Sequence, residues 1–287
     1  MRNLLLVLEY DGTHYAGWQR QPQRRTIQGV LEEKLTSLLG QPVKVLASGR
    51  TDAGVHALGQ VVTFTTDNPM SCDKVQKALQ ALLPQDIRVV NIQEVSLDFH
   101  PRKSAKRKRY VYALWYGKGC PAFLRKYLYP WDVDLNWDVM REGVQLFLGQ
   151  HDFSSFSSPS PRSSRRTVFS FEFRFRKPPV VTFEIEADGF LYHMVRMIIG
   201  ETLLLGMGRK SLSDLELMLE HPSYREYRRL NLPPQGLYLM EVVYEEINPY
   251  EGLKLEDAGF VVPVWVREGQ KLLKEEPLIV DKFPPLC

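Results

Sequence analysis

The order in which strand-like and helix-like segments alternate is the strongest constraint on how this chain folds. Short apolar runs typical of strands occupy residues 4–10, 43–46, 60–64 and 87–95. Two other stretches carry apolar side chains at helical spacing: residues 26–39, which end at Gly40, and residues 74–83, which end before Pro84. The first third of the chain therefore has the order β-α-β-β-α-β, which is that of a ferredoxin-like unit.

A similar alternation begins again after a connecting stretch rich in proline and basic residues. It predicts strands at residues 110–116, 169–175, 180–187 and 237–244, and helices at residues 140–148, 190–205 and 211–219. We therefore expect an α+β fold of two ferredoxin-like halves, residues 1–104 and 105–246, with antiparallel sheets side by side and an active-site cleft between them. Residues 247–287 differ in composition from the rest of the chain and are expected to form an arm appended to the body.

Composition narrows the classes of protein further. The three cysteines are too few and too scattered for a disulfide framework, which favours a reducing, cytoplasmic setting. The longest uncharged apolar runs, such as residues 260–266, are too short to cross a bilayer, so we expect no membrane insertion. The six histidines are widely separated and no Cys/His cluster has zinc spacing, so we expect no metal site.

Basic residues are concentrated in parts of the chain rather than spread evenly. Residues 102–109, RKSAKRKR, hold six basic side chains and no acidic one, and a smaller cluster lies at residues 24–25. Acidic residues instead gather from Glu241 onward. This segregation is typical of proteins that bind a polyanion, although a single charge run is also common on a solvated surface. The candidate contacts are Arg24, Arg25, Arg107, Lys108 and Arg109.

The loop at residues 48–60, SGRTDAGVHALGQ, carries a lone carboxylate between two predicted strands. An ionised, oriented carboxylate such as Asp52 can attack an electrophilic carbon, and the glycines at positions 49 and 54 allow a tight turn and a close approach of substrate. A nearby arginine such as Arg50 would keep the carboxylate charged. Thr-Asp-Ala-Gly is equally good turn chemistry, so the loop by itself leaves a structural role open.

Two distant segments strengthen the catalytic interpretation. Tyr110 follows the basic run directly, and basic residues interleaved with aromatic ones suit stacking on an unpaired base. Arg196 lies in the otherwise apolar helix-like stretch at residues 188–200. A charge in such a setting needs a partner, and Asp52 is the simplest candidate; a structural ion pair or an exposed helix face is the alternative.

Two familiar motifs fit poorly. Residues 8–13, LEYDGT, suggest a metal-dependent phosphatase built on Asp11, but Glu9 stands where the nucleophilic aspartate belongs and no downstream pair of aspartates supports the site. Residues 117–122, GKGCPA, fit a dinucleotide-binding turn, but Pro121 interrupts the helix that would hold the pyrophosphate.

Six segments in order resemble the tRNA pseudouridine synthase A family. The most specific is GRTDAGVHALGQV at residues 49–61. The others are YDGTHYAGWQRQ at 10–21, RKRYVY at 107–112, DFSSF at 152–156, GFLYHMVRMIIG at 189–200 and GLYLMEV at 236–242. The resemblance runs from about residue 3 to residue 246 and leaves the C-terminal segment unexplained.

The resemblance implies a cofactor-independent, dimeric isomerase that converts uridine to pseudouridine at nucleotides 38, 39 and 40 of the tRNA anticodon stem-loop. It implies that Asp52 is the nucleophile, that Arg196 is an active-site arginine and that Arg50 helps to flip the target nucleotide. Tyr110 falls on the family's active-site tyrosine, which would stack on the freed uracil, and its hydroxyl is a candidate for removing the C5 proton.

Two questions stay open at this point. Asp52 could attack either C6 of the uracil or C1′ of the ribose, because both are electrophilic carbons of the flipped nucleotide. A tRNA-binding protein with a vestigial pocket is the principal rival from another class, and the intact set of Asp52, Tyr110 and Arg196 counts against it.

Overall fold

The computed structural model describes residues 1–159, 163–176, 179–223 and 229–251. The strands are β1 (Arg2–Tyr10), β2 (Leu46–Ala47), β3 (His56–Thr66), β4 (Ile87–Val95), β5 (Arg107–Tyr116), β6 (Tyr129–Trp131), β7 (Gly149–Asp152), β8 (Arg165–Phe175), β9 (Val180–Ala187) and β10 (Leu237–Val243). The helices are α1 (Ile27–Leu39), α2 (Cys72–Leu82), α3 (Trp137–Leu146), α4 (Met194–Gly206) and α5 (Leu212–Glu220). The α+β class predicted from the sequence is confirmed.

These strands form one continuous sheet rather than two. Its order is β4-β1-β3-β10-β5-β9-β8-β7, with β2 paired to β3 and β6 paired to β5. The last strand, β10, joins the two parts of the chain because it pairs antiparallel with β5 on one side and parallel with β3 on the other. The division into two ferredoxin-like halves, residues 1–104 and 105–246, stays a prediction.

The junction between β3 and β10 is short. Its parallel register consists of Tyr238 opposite His56 and Leu239 opposite Ala57. Beyond this point the Tyr250 hydroxyl bridges the two strands: it donates to the Gly59 carbonyl oxygen at 3.0 Å and accepts from the Val242 N–H at 2.7 Å. Of the predicted C-terminal arm, residues 252–287 lie outside the described part of the chain.

Strand β5 has two distinct faces. Its residues Tyr110, Tyr112 and Leu114 belong to the large core, which also contains buried side chains of all five helices. Val111 and Ala113 point the other way and pack in a smaller cluster with Leu128 and Tyr238. We call these the helix side and the opposite side of β5, because alternate residues of a strand point to alternate faces.

Helix α4 begins later than the sequence predicted. The apolar stretch starts at residue 190, but His193 has a left-handed backbone with φ of 66°, so the helix starts at Met194. The helix is buried on almost every side, and its Gly200 allows close passage of another segment: a Cβ there would lie 2.0 Å from the Leu230 carbonyl oxygen. Residues 229–232 therefore cross α4 in direct contact with its backbone.

The strand predicted at residues 43–46 corresponds to β2, which covers only Leu46–Ala47. The short strands β6 and β7, of three and four residues, were not predicted. No helix in the described ranges is long and apolar enough to cross a membrane.

Candidate active site

Asp52 is the first residue of a tight turn between β2 and β3. The Val55 N–H donates to the Asp52 carbonyl oxygen at 3.1 Å. Gly54, the third residue of the turn, has φ of 78°, the left-handed value that a type II turn requires at this place and that glycine adopts without strain. The turn predicted from the residues Thr-Asp-Ala-Gly is therefore present, and it sets the position from which the Asp52 side chain extends.

The Asp52 loop is anchored by buried polar groups on both sides of the carboxylate. The Ser48 hydroxyl donates to the Gln60 side-chain carbonyl at 2.7 Å, and the Gln60 amide donates to the Gly49 carbonyl oxygen at 2.9 Å. The Thr51 and Tyr10 hydroxyls share a hydrogen bond of 2.8 Å. These contacts hold the loop on the rigid sheet, so the backbone that carries the Asp52 carboxylate is fixed in position.

Arg196 reaches the Asp52 carboxylate from the other part of the chain. Its Nη1 lies 3.2 Å from Asp52 Oδ2, and its Nε donates to the Leu232 carbonyl oxygen at 2.5 Å. The Arg196 side chain is 10% exposed and that of Asp52 is 20% exposed. The buried arginine of the apolar helix therefore has the partner that the sequence suggested, and a second contact that fixes the guanidinium plane.

His193 is a third member of this site that the sequence reasoning did not select. Its Nε2 lies 3.6 Å from Asp52 Oδ2, and its Nδ1 shares a hydrogen bond of 3.0 Å with the Ser158 hydroxyl. Burial lowers the pKa of His193 and the Arg196 charge lowers it further, while Asp52 opposes both, so the ring is neutral near pH 7. The only signal in the sequence was its position three residues before Arg196, across the start of the helix.

Tyr110 forms part of the floor of the site. It lies on the helix side of β5, is 7% exposed, and meets the Phe190 ring edge-on at a centroid distance of 5.0 Å. Burial raises the pKa of its hydroxyl well above the usual value, and the negative charge of Asp52 adds to this. A phenol so disposed stays protonated, which favours a stacking role over removal of a proton.

The relation to known proteins is decided by comparison along the chain. A family model described as tRNA pseudouridine synthase matches residues 6–102 and 144–245. The chain is 44% identical to tRNA pseudouridine synthase A of Caldicellulosiruptor saccharolyticus over 246 residues, which cover 85% of this chain and all of the relative. It is 39% identical over 257 residues to the protein of the same name from Thermodesulfovibrio yellowstonii, again with 85% and 100% coverage.

The chain belongs to the tRNA pseudouridine synthase family. It is accordingly an isomerase that acts on tRNA. The match stops at residue 245, so Tyr250 and the segment beyond it lie outside the part shared with the family model.

Arg50 and Arg24 are exposed on the surface of this pseudouridine synthase. Neither side chain makes a hydrogen bond or an ion pair with any residue that the structure describes, so both guanidinium groups are available to an external anion. Arg25 differs: it stacks on the Tyr15 ring at 4.8 Å and lies 3.7 Å from an Asp86 carboxylate oxygen. Arg50 therefore does not serve as the countercharge of Asp52.

The basic run of the synthase is divided by the alternation of β5. Arg107 pairs with Glu186 at 3.0 Å and Arg109 pairs with Glu241 at 3.1 Å, both on the opposite side of the strand. Lys108 alone points to the helix side, where Asp52 lies. The three residues do not form one basic surface, and the charges of Arg107 and Arg109 are already neutralised by carboxylates.

Lys108 supports the Asp52 loop and adds charge near it. Its Nζ donates to the Ser48 carbonyl oxygen at 2.6 Å. Burial, together with the positive charges of Arg102 and Arg166, lowers the pKa of Lys108 to about 8. Two further cations thus act on the Lys108 ammonium, and clustered positive charge is the electrostatic pattern expected where a phosphate backbone approaches.

Asp11, on which the phosphatase alternative depended, is committed to structural contacts. The Thr13 N–H donates to its Oδ1 at 2.9 Å and the Tyr127 hydroxyl donates to its Oδ2 at 2.8 Å. Although burial raises its pKa, hydrogen bonds from His56 and Thr13 lower the pKa of Asp11 below the usual value. With both oxygens engaged, Asp11 ties β1 to the segment that follows β5, which favours a structural role over a nucleophilic one.

Proposed function

We propose that this enzyme isomerises uridine to pseudouridine at nucleotides 38, 39 and 40 of the tRNA anticodon stem-loop, with Asp52 as the nucleophile. The observation that supports this most directly is the contact between Asp52 Oδ2 and Arg196 Nη1, 3.2 Å apart, beside the buried ring of Tyr110. The choice of nucleotides rests on the family resemblance.

The reaction needs one carboxylate and no net change in composition. The target uridine leaves the base stack at a cost of about a few kcal/mol, and Asp52 attacks it. The bond between N1 and C1′ breaks, the uracil turns within the pocket, a bond forms between C5 and C1′, and the bond to Asp52 breaks so that the carboxylate is regenerated. N1 then gains a proton and C5 loses one, so substrate and product are isomers. Attack at C6 and attack at C1′ both fit this sequence.

The surrounding side chains divide the remaining tasks. Arg196 orients the Asp52 carboxylate, because the Leu232 carbonyl oxygen accepts a hydrogen bond from its Nε and holds the guanidinium in place. Tyr110 presents its ring to the detached uracil. The exposed Arg50, two residues before the nucleophile, suits a contact with the phosphate of the flipped nucleotide.

Tritium release tests the proposed activity. Transcripts of tRNA that carry [5-³H]uridine only at positions 38, 39 or 40 are expected to release tritium to water, since the C5 hydrogen is replaced by a C5–C1′ bond. Transcripts with labelled uridine only outside the anticodon arm are the control. Binding without release from any transcript would leave a vestigial tRNA-binding protein, whereas release from the control set alone would contradict the proposed positions.

Lys108 is expected to make tRNA binding sensitive to mildly alkaline pH. With a pKa of about 8, it carries its charge below that pH and loses it above. From about pH 6.5 to about pH 8.5, at fixed ionic strength, the affinity of the native enzyme is expected to fall about fivefold, and that of Lys108→Arg to change much less, because arginine stays charged.

Filter binding at the two pH values measures this effect. Lys34→Arg is the matched control, because Lys34 is a surface lysine on α1 that pairs with Glu33 and lies outside the site. The same fall in affinity for the native enzyme and for Lys108→Arg would show that Lys108 makes no contact with the RNA backbone.

The remaining expectations concern assembly and setting. A homodimer follows from the family resemblance, and a cytoplasmic location is supported by the small number of cysteines. The reading of residues 1–104 and 105–246 as two ferredoxin-like halves is supported by the order β4-β1-β3-β2 in the first part of the sheet.

A further inference from the structure

Tyr192 is an exposed aromatic residue beside the proposed nucleophile. Its side chain is 57% exposed, and its ring stacks on that of His193 at a centroid distance of 3.7 Å and an interplanar angle of 28°. The next ring atom inward, His193 Nε2, lies 3.6 Å from Asp52 Oδ2. Two stacked rings therefore extend from the carboxylate to the surface.

The backbone that produces this stack is unusual. His193 has φ of 66°, and among the described residues other than glycine only Gln23 shares a positive φ. Such a conformation is unfavourable for a side chain with a Cβ, and it persists where surrounding contacts enforce it, often at functional sites. Here Ser158 supplies those contacts: its hydroxyl meets His193 Nδ1 at 3.0 Å, and its N–H donates to the Tyr192 carbonyl oxygen at 3.0 Å.

The free face of Tyr192 suits a nucleobase. One side of the ring is covered by His193, the other faces solvent, and its hydroxyl has no hydrogen-bond partner in the described part of the chain. Aromatic rings of this kind stack on unpaired bases without regard to sequence. When the target uridine is flipped toward Asp52, the base next to it loses a stacking neighbour and lies at the mouth of the same cleft.

We infer that Tyr192 is a stacking platform for the unpaired base adjacent to the target uridine, with His193 as the ring that supports it. This inference rests on the proposed function, because it takes the flipped uridine to be at Asp52. Tyr192 does not touch the reacting atoms, so it contributes to binding and positioning rather than to chemistry.

The test uses the full-length enzyme and anticodon stem-loop RNAs that carry 2-aminopurine immediately 5′ or 3′ of the target uridine. Stacking on Tyr192 is expected to quench the fluorescence of one of these probes. Tyr192→Phe is expected to keep the quenching, and Tyr192→Leu and Tyr192→Ala to lose most of it. In tritium release, Tyr192→Ala is expected to raise KM about tenfold and to leave kcat within about threefold.

Phe123→Ala is the matched control, because Phe123 is 73% exposed and lies on a segment whose Leu124 packs on the opposite side of β5. It is expected to behave as the native enzyme. Full quenching of 2-aminopurine fluorescence by Tyr192→Ala or Tyr192→Leu, neither of which has an aromatic ring at this position, would overturn the inference. If the native enzyme releases no tritium, the proposed function fails; if it does and Tyr192→Ala matches it in KM and quenching, only the platform fails.

Discussion

Asp52→Asn is expected to abolish pseudouridine formation, with kcat reduced by a factor of about 10⁴ or more, while tRNA affinity stays within about threefold. Asparagine has nearly the same shape and its side-chain oxygen can still accept from Arg196, so the loop and the cleft remain in place. It cannot act as the nucleophile, because its amide is neutral. Single-turnover tritium release with saturating enzyme measures the effect.

Asp138→Asn is the matched control, since Asp138 is an exposed carboxylate on α3 that pairs with Arg141. It is expected to keep full activity. Substantial turnover by Asp52→Asn, after exclusion of deamidation by mass spectrometry, would show that the carboxylate is not the nucleophile. A loss of tRNA binding equal to the loss of turnover would instead show that Asp52 acts by holding the RNA.

Arg196→Met is expected to have the second largest effect, on both activity and stability. Without the guanidinium the Asp52 carboxylate loses its partner inside the cleft and the Leu232 carbonyl oxygen loses its donor. We expect kcat to fall by about 10² to 10³, as when an electrostatic donor is removed from an active site, and the free energy of unfolding to fall by about 3 kcal/mol. Tritium release and urea denaturation measure the two effects.

Two further variants separate the charge of Arg196 from its geometry. Arg196→Lys keeps the charge but cannot contact Asp52 and Leu232 together through one rigid plane, so we expect it to recover only part of kcat. The double variant Asp52→Asn, Arg196→Met is expected to be more stable than the sum of the single losses predicts, since no unpaired charge is left in the cleft. Strict additivity would mean that the pair is not coupled.

The pairing of Asp52 with Arg196 could be predicted from the sequence because a charged side chain stands in an otherwise apolar helix. A guanidinium in an otherwise apolar helix must find an anion, and the loop before β3 offered a lone carboxylate. The α+β class could also be predicted, since segments with the apolar spacing of strands alternate along the chain with segments that have the apolar spacing of helices. Both inferences depended only on local pattern and on the cost of burying charge.

Other features depended on where elements begin and on contacts between distant strands. The sequence placed the start of a strand at residue 110, and β5 in fact starts at Arg107, so the strand's alternation extends into the basic run and separates Lys108 from its neighbours. The left-handed backbone of His193 was not predictable from the sequence, because such a backbone is uncommon in any residue other than glycine and nothing in the local pattern marks where it occurs. The joining of the sheet through β10 was also hidden, since no local pattern records which strand a last strand will pair with.

The short junction between β3 and β10 has a mechanical consequence for the ion pair of Asp52 and Arg196. Asp52 lies just before His56, the first residue of β3 to pair with β10, and Arg196 is held by Leu232, just before β10 begins. A small shear between these two strands therefore changes the separation of the carboxylate and the guanidinium directly. If the proposed function is correct, a tRNA that contacts the protein on both sides of this junction would alter the distance between Asp52 and Arg196, and so couple the fit of the RNA to the geometry of the proposed nucleophile.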